Sequence, residues 1–165
     1  MGKVVYKVGD DVSTDIIYPG RFMATVLPTE TPQHTFADDS DFNGKLNAKE
    51  IPAGSFLVGN ENFGCGSSRE QAASCLKGWE LIIVAKRFAR IFLQNGINLG
   101  LQMIVCPNIE ADKGDELEIA GDVLKNITTG KEFKITPHPP ARQAIIDAGG
   151  LIAFTRTRLL AEKKS

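Results

Sequence analysis

Phe56-Leu57-Val58-Gly59, followed by Asn60-Glu61-Asn62-Phe63-Gly64-Cys65-Gly66-Ser67-Ser68-Arg69-Glu70, decides how this chain is read. The first four residues are short and apolar, as a buried strand is. Gln71-Ala72-Ala73-Ser74-Cys75-Leu76-Lys77 then supplies good helix formers. Ser67 with Glu70, and Ser68 with Gln71, each fit a capping box, so a helix is predicted over residues 68–79. Its first N–H groups have no partner inside the helix. Together with the positive end of the helix dipole and the Arg69 fork, they make a site for an anion. Gly64 and Gly66 let the backbone approach a ligand closely or take positive φ. The rival reading is a glycine-rich turn, an ordinary cap and a surface arginine. The stretch is not a Walker A loop, a dinucleotide fingerprint or a nucleophile elbow. The residues alone therefore give an oxyanion site of open ligand class.

Outward from this junction the apolar pattern alternates with helical stretches. Residues 81–84 (Leu-Ile-Ile-Val) and 101–105 (Leu-Gln-Met-Ile-Val) read as strands, with a helix over 87–95 between them. Phe88, Ile91 and Phe92 fall on one face of that helix. A first strand is expected at 3–8. Strand-helix alternation of this kind argues for right-handed crossovers and a mainly parallel sheet flanked by helices, an α/β fold. Residues 116–119, 123–127 and 132–135 alternate between glycine turns and predict a small antiparallel meander. Pro140 opens a helix that Gly149-Gly150 closes. A last helix spans 151–160, and 163–165 is expected to fray. Residues 18–55 read as irregular, interrupted by Pro19, Gly20, Pro28, Pro32 and Pro52, and 18–37 as a mobile loop.

The 165 residues form one expected domain, 1–165, with a net charge of −1. That balance argues against nucleic-acid binding through phosphates, and no apolar run is long enough for a membrane span. Cys65, Cys75 and Cys106 form no C-x-x-C pair and read as reduced thiols of a cytoplasmic protein. His34 and His138 read as exposed, without metal-ligand spacing.

Four motifs in order carry a resemblance. They are Gly9-Asp10-Asp11-Val12-Ser13-Thr14-Asp15, Asn62 to Glu70, Ala85-Lys86-Arg87-Phe88-Ala89-Arg90-Ile91-Phe92, and Asn95-Gly96-Ile97-Asn98-Leu99-Gly100-Leu101. In these the chain resembles the small subunits of 3-isopropylmalate dehydratase, in the aconitase superfamily, over nearly its whole length. The resemblance implies a swivelling β/β/α domain that works with a separate large subunit. The [4Fe-4S] cluster is expected on that large subunit, and none on this chain. The implied reaction removes water from a hydroxy-dicarboxylate and adds it back at the adjacent carbon, interconverting 2- and 3-isopropylmalate in leucine biosynthesis.

By the same resemblance Ser67 is the base, acting as an alkoxide. Ser68, Arg69 and the Gly66 backbone hold a substrate carboxylate, and Asp15 orients the site. A salt bridge to Glu70 or Asp15 is the rival role for Arg69. A cap for a turn over residues 14–17 is the rival role for Asp15. Lys86, Arg87 and Arg90 are candidates for a cleft lining, for contact with the large subunit, or for plain solvated charge. Gln71 stands where the family often has histidine, and Arg87 where it often has serine. Relatives acting on tricarboxylates carry an arginine near Ala24. Here Phe22-Met23-Ala24-Thr25 is a specificity loop without charge, suited to an alkyl substituent. Arg21 is either a substrate ligand or a loop anchor. The alternatives are a 2,3-dimethylmalate, citraconate or homoaconitate hydratase subunit, or a scaffold subunit without catalysis. Self-association of the isolated chain stays open.

Overall fold

β2 (Phe56–Gly59) is buried along its whole length because parallel neighbours flank it and its two faces pack into two different cores. Its neighbours are β1 (Gly2–Lys7) and β3 (Ile82–Ala85), and β4 (Met103–Val105) continues the parallel run beyond β3. Side chains alternate across the strand. Phe56 and Val58 join Val4, Val84, Cys106, Leu117, Leu124 and Phe133 in one core, while Leu57 joins Ile83, Leu76, Phe63 and Phe92 in the other. The structure, a computed structural model, describes residues 1–162. The expected fraying of 163–165 falls outside those residues.

The antiparallel meander is β5 (Glu116–Ala120), β6 (Val123–Asn126) and β7 (Lys131–Lys134). It belongs to the same sheet, because β5 pairs antiparallel with β1. The strand order is β4-β3-β2-β1-β5-β6-β7. Just past β7 the Thr136 N–H donates to the Val105 carbonyl at 2.8 Å, in an isolated antiparallel bridge. The sheet thus curls until its two edges touch, which covers backbone groups an open edge would expose. This is the expected α/β architecture, with parallel strands and meander fused into one curled sheet.

The connections place the site. Between β1 and β2 lie the short α1 (Thr14–Ile17) and α2 (Ser40–Asn47). α3 (Glu70–Gly78) joins β2 to β3, and α4 (Arg90–Leu99) joins β3 to β4. α5 (Pro140–Asp147) and α6 (Leu151–Glu162) follow the meander.

Several expectations are corrected here. Residues 18–55 are not irregular throughout. Two 3-10 turns, Gly20–Phe22 and Thr31–His34, and the helix α2 lie within them. Asp39 caps α2 by accepting from the Phe42 N–H at 3.0 Å, and Phe42 and Leu46 bury the inner face. Tyr18, Thr31, Thr35 and Phe36 are fully buried, so this connection contributes to the core.

Neither capping box forms. α3 begins at Glu70, with Arg69 at the N-cap position and no side-chain cap. α4 begins three residues later than the expected 87, because the Phe63 N–H bonds the Arg87 carbonyl and Ala89 bonds back to Phe63. Phe88 and Phe92 point inward, whereas Ile91 is half exposed at 52% and lies off their face. His34 and His138 are half-buried rather than exposed. His34 stacks on Phe22 at 3.9 Å, and the His138 ring nitrogen Nε2 lies 2.8 Å from the Met103 carbonyl.

Candidate active site

Two segments far apart in sequence zip together at the start of α3. The Gly64 N–H donates to the Val12 carbonyl at 2.7 Å, and the Thr14 N–H to the Cys65 carbonyl at 2.8 Å. The turn needs glycine at position 64 on two counts. Its φ is +82°, and a Cβ there would sit 2.2 Å from Cγ of Phe92. Chain entry into α1 is fixed by Ser13, whose Oγ accepts from the Ile16 N–H at 3.3 Å. Ser13 is therefore the cap of that turn, and the capping role considered for Asp15 is not the one it plays.

Asp15, Ser67 and Arg69 are brought to one place. Ser67 and Ser68 are exposed, as is Gly66 between Cys65 and Ser67. The Ser67 Oγ lies 3.1 Å from Oγ1 of Thr14, a side chain only 1% exposed. The same Thr14 hydroxyl lies 3.2 Å from the Ser67 carbonyl. This contact explains the missing capping box, because the Ser67 hydroxyl is spent on a tertiary partner. Arg69 is mostly covered and forms an ion pair with the exposed carboxylate of Asp15. It also donates to the Tyr18 carbonyl at 3.4 Å. Of the two salt-bridge partners considered for Arg69, Asp15 is the one used. Ser68 presents its carbonyl to the Asn95 side-chain amide at 3.2 Å.

The specificity segment is tied to this cluster through its backbone. Gln71 donates from Nε2 to the Met23 carbonyl at 3.4 Å. The Tyr18 phenol donates to the Phe22 carbonyl at 3.1 Å, with the Thr25 carbonyl at 3.4 Å, and burial raises its pKa. Gly20 packs against Arg69, where a Cβ would lie 3.3 Å from Nη2. Ala24 and Met23 are exposed, while Phe22 and Thr25 are half-buried. Arg21 stands apart from the Ser67 cluster. It pairs with Asp38 at 2.6 Å and covers the Phe22 ring at 4.6 Å, which is the loop-anchor arrangement. His34 beneath it has a lowered pKa, through burial first and the Arg21 charge second.

On the other flank of the turn, Gly64, Cys65 and Gly66 form one wall of a cleft of about 770 Å³, with Arg90, Asn95 and Arg142 opposite. Of the three basic residues considered on this side, Arg90 lines the cleft, and Arg87 is taken up by Glu61 at 3.0 Å. Lys86 lies in a different pocket, with Glu110 and Asp112. The Cys65 thiol donates to the Asp11 carbonyl at 3.3 Å. Burial pushes the Cys75 thiol up to about 12 and Cys106 up to about 11, so neither supplies a thiolate at neutral pH. Among the described residues no group of three or more His, Cys, Asp or Glu converges to hold a metal ion. No described helix is long and apolar enough to cross a membrane.

Thr14 is the residue that sequence reasoning missed. It was legible only as the neighbour of Asp15 in the Thr-Asp pair, with nothing to show that its hydroxyl would meet Ser67. Asn95 and Arg142 were missed for the same reason: Asn95 bonds the Ser68 carbonyl from α4, and Arg142 lines the cleft from α5.

A family model described as the aconitase C-terminal domain matches residues 16–108. The chain belongs to the aconitase C-terminal domain family. The aconitase-type small subunits align with it almost end to end. It is 43% identical over 164 residues to the 3-isopropylmalate dehydratase small subunit of Methanosarcina acetivorans, covering 96% of this chain and 97% of that protein. It is 41% identical to the 2,3-dimethylmalate dehydratase small subunit of Eubacterium barkeri, covering 91% and 93%. The crystal structure of the 3-isopropylmalate dehydratase LeuD of Methanocaldococcus jannaschii superposes with a TM-score of 0.89 at 37% identity, over 98% of this chain and 96% of that one. The resemblance read from the four motifs is borne out, and so is the fold that it implied. These relatives are named as small subunits of a dehydratase.

Proposed function

We propose that this chain is the small subunit of the enzyme that interconverts 2- and 3-isopropylmalate by dehydration and rehydration, and that Ser67 is its base. The observation that carries the reading is that two consecutive residues of α1 hold the glycine turn's functional pair: Thr14 meets the hydroxyl of the exposed Ser67, and Asp15 pairs with the Arg69 guanidinium. The names of the relatives at about 40% identity support the substrate.

Arg69 and Ser68 receive one carboxylate of the diacid. Arg69 is suited to this because its planar fork bonds two oxygens at once. The pairing with Asp15 keeps that fork oriented before substrate arrives, since Asp15 occupies one side of it. The Ser67 oxygen, as alkoxide, takes the proton from the carbon next to the carboxylate. The C–H bond breaks, an O–H bond forms on Ser67, and the electron pair moves to expel the hydroxyl from the adjacent carbon. Rehydration runs the same steps backward with the two carbons exchanged. A serine hydroxyl is a weak acid, so the alkoxide depends on fixed donors and nearby positive charge. The departing hydroxyl needs a Lewis acid, and among the described residues no cluster converges to hold a metal ion that would act as one. A [4Fe-4S] cluster on the large subunit would provide it.

The exposed apolar side chains fit a face that the large subunit covers. Ile16 adjoins Asp15, Met23 carries the carbonyl bonded by Gln71, and Ile91 lines the cleft beside the turn, all three exposed. Specificity rests on the segment from Phe22 to Thr25. It offers no charge for a third carboxylate, so alkylmalates suit it better than citrate or homocitrate. The Eubacterium barkeri relative favours one second reading, 2,3-dimethylmalate, because its identity to this chain is nearly that of the isopropylmalate relatives.

The test is turnover of a substrate panel by the purified pair of subunits, with Ser67→Ala alongside. The expected result is preference for isopropylmalate and loss of turnover in the variant. Faster turnover of homoaconitate would overturn the substrate, and full activity of Ser67→Ala would overturn the base.

A further inference from the structure

We propose that Thr14 is a positioning residue for the base, its hydroxyl serving as the donor that holds the Ser67 oxygen when that oxygen carries charge. The proposal rests on Ser67 being the base.

The Thr14 hydroxyl has one proton and two acceptors within reach, the Ser67 carbonyl at 3.2 Å and the Ser67 Oγ at 3.1 Å. With Ser67 neutral, Thr14 can donate to the carbonyl while the Ser67 hydroxyl donates to Thr14. Once Ser67 loses its proton, its oxygen becomes the stronger acceptor. Rotation of the Thr14 O–H about its own C–O bond then turns the donor onto that oxygen, and no heavy atom has to move. The Ser67 oxygen next takes the substrate proton, and the bond reverts to its first direction.

Three features fit this role. Thr14 is 1% exposed, so water does not compete for its proton. Its backbone is fixed at both ends, the N–H on the Cys65 carbonyl at 2.8 Å and the carbonyl accepting from Tyr18 at 2.9 Å. Gly66 packs beside the hydroxyl, a Cβ built there lying at ordinary contact distance, 3.5 Å, from Thr14 Oγ1. A threonine kept only for packing would be matched by valine, which has the same shape and no hydroxyl to satisfy.

The experiment compares Thr14→Ser and Thr14→Ala in the complex with the large subunit. The two variants lack the same methyl group and differ only in the hydroxyl, so the comparison does not depend on how well Thr14→Val folds. Thr14→Ser should keep kcat within about threefold of wild type. Thr14→Ala should lose about 10²–10³-fold in kcat, the usual effect of removing one donor to a developing oxyanion. KM should stay within about threefold in both. The acidic limb of the pH–rate profile should move to higher pH in Thr14→Ala, because the serine becomes harder to ionise. Equal losses in the two variants, or a change confined to KM, would overturn the proposal. An active Ser67→Ala complex would overturn the base assignment, and this role with it. An inactive Ser67→Ala complex together with equal Thr14 variants would overturn the role of Thr14 alone.

Discussion

Gln71, the second residue of α3, donates to the carbonyl of Met23, 48 positions earlier in the chain, and so fastens the proposed specificity loop to the helix that follows the glycine turn. Arg69 reaches the Tyr18 carbonyl of the same loop. The glycine turn and the segment from Tyr18 to Thr25 are therefore mechanically linked. The Gln71 amide donates without titrating.

Loss of the Gln71 donor should loosen discrimination more than rate. A neutral hydrogen bond is worth about 1 kcal/mol net. Gln71→Ala is expected to change the ratio of kcat/KM for isopropylmalate over methylmalate by about fivefold. Gln71→Glu, which is isosteric but acceptor-only when ionised, should behave like the alanine variant. Paired progress curves on the two substrates measure this. An unchanged ratio in both variants would show that the contact does not shape the pocket.

Acid stability should depend on a pair remote from the site. The Tyr6 phenol donates to Oδ2 of Asp39 at 2.6 Å, while Oδ1 caps α2 through the Phe42 N–H. The bond from Tyr6 holds the Asp39 carboxyl below its ordinary value, helped by the Phe42 N–H. Burial first, and the Asp39 contact second, push the phenol far up, so it remains a donor across the working pH range. A depressed carboxyl pKa contributes stability that is present above the unfolded-state value, near 4, and is lost as pH falls through the lower folded-state value. Melting temperature should therefore fall below about pH 4. Tyr6→Phe should be destabilised by roughly 1–3 kcal/mol at pH 7 and should show a shallower acid decline. Thermal melts from pH 3 to 7 on both proteins would reveal it, and parallel curves would discount the pair.

The contrast between what was legible in the sequence and what was not has a physical cause. β2, β3 and β4 were legible because a strand buried on both faces needs an uninterrupted apolar run, as Leu57-Val58 and Ile83-Val84 show. Ser67, Ser68 and Arg69 were legible as an anion-site candidate because a glycine turn rich in hydroxyls and charge exceeds what a cap requires, whereas Asp15 was singled out only through the Thr-Asp motif of the resemblance. The helix α2 was hidden by Gly44, a poor helix former, and by the surrounding prolines, although Asp39 and Asp41 marked its start. The predicted capping boxes failed because a local rule assigned the Ser67 hydroxyl to its own helix, whereas a threonine 53 residues away claims it. Ile91 was assigned to the core by periodicity. It lies exposed beside the cleft instead.

Arg69 offers the sharpest test of carboxylate capture. Its Nη1 bonds the Asp15 carboxylate and the Tyr18 carbonyl in this structure, and an arriving substrate carboxylate would share the fork with Asp15. Lysine keeps the charge but presents a single ammonium with no planar pair of donors. Arg69→Lys should therefore lose about one charge-assisted hydrogen bond, worth roughly 1.5–3 kcal/mol, which corresponds to a rise in KM of about 10- to 100-fold. Asp15→Asn should act in the opposite sense on first contact, because it removes the carboxylate that competes for the fork. Its KM should fall or hold, while kcat drops as the fork loses its orientation. Steady-state kinetics of the two variants, each assembled with the large subunit, separate these outcomes. A KM unchanged in Arg69→Lys would mean that the guanidinium serves only to pin the loop, and that the substrate carboxylate is held by other groups.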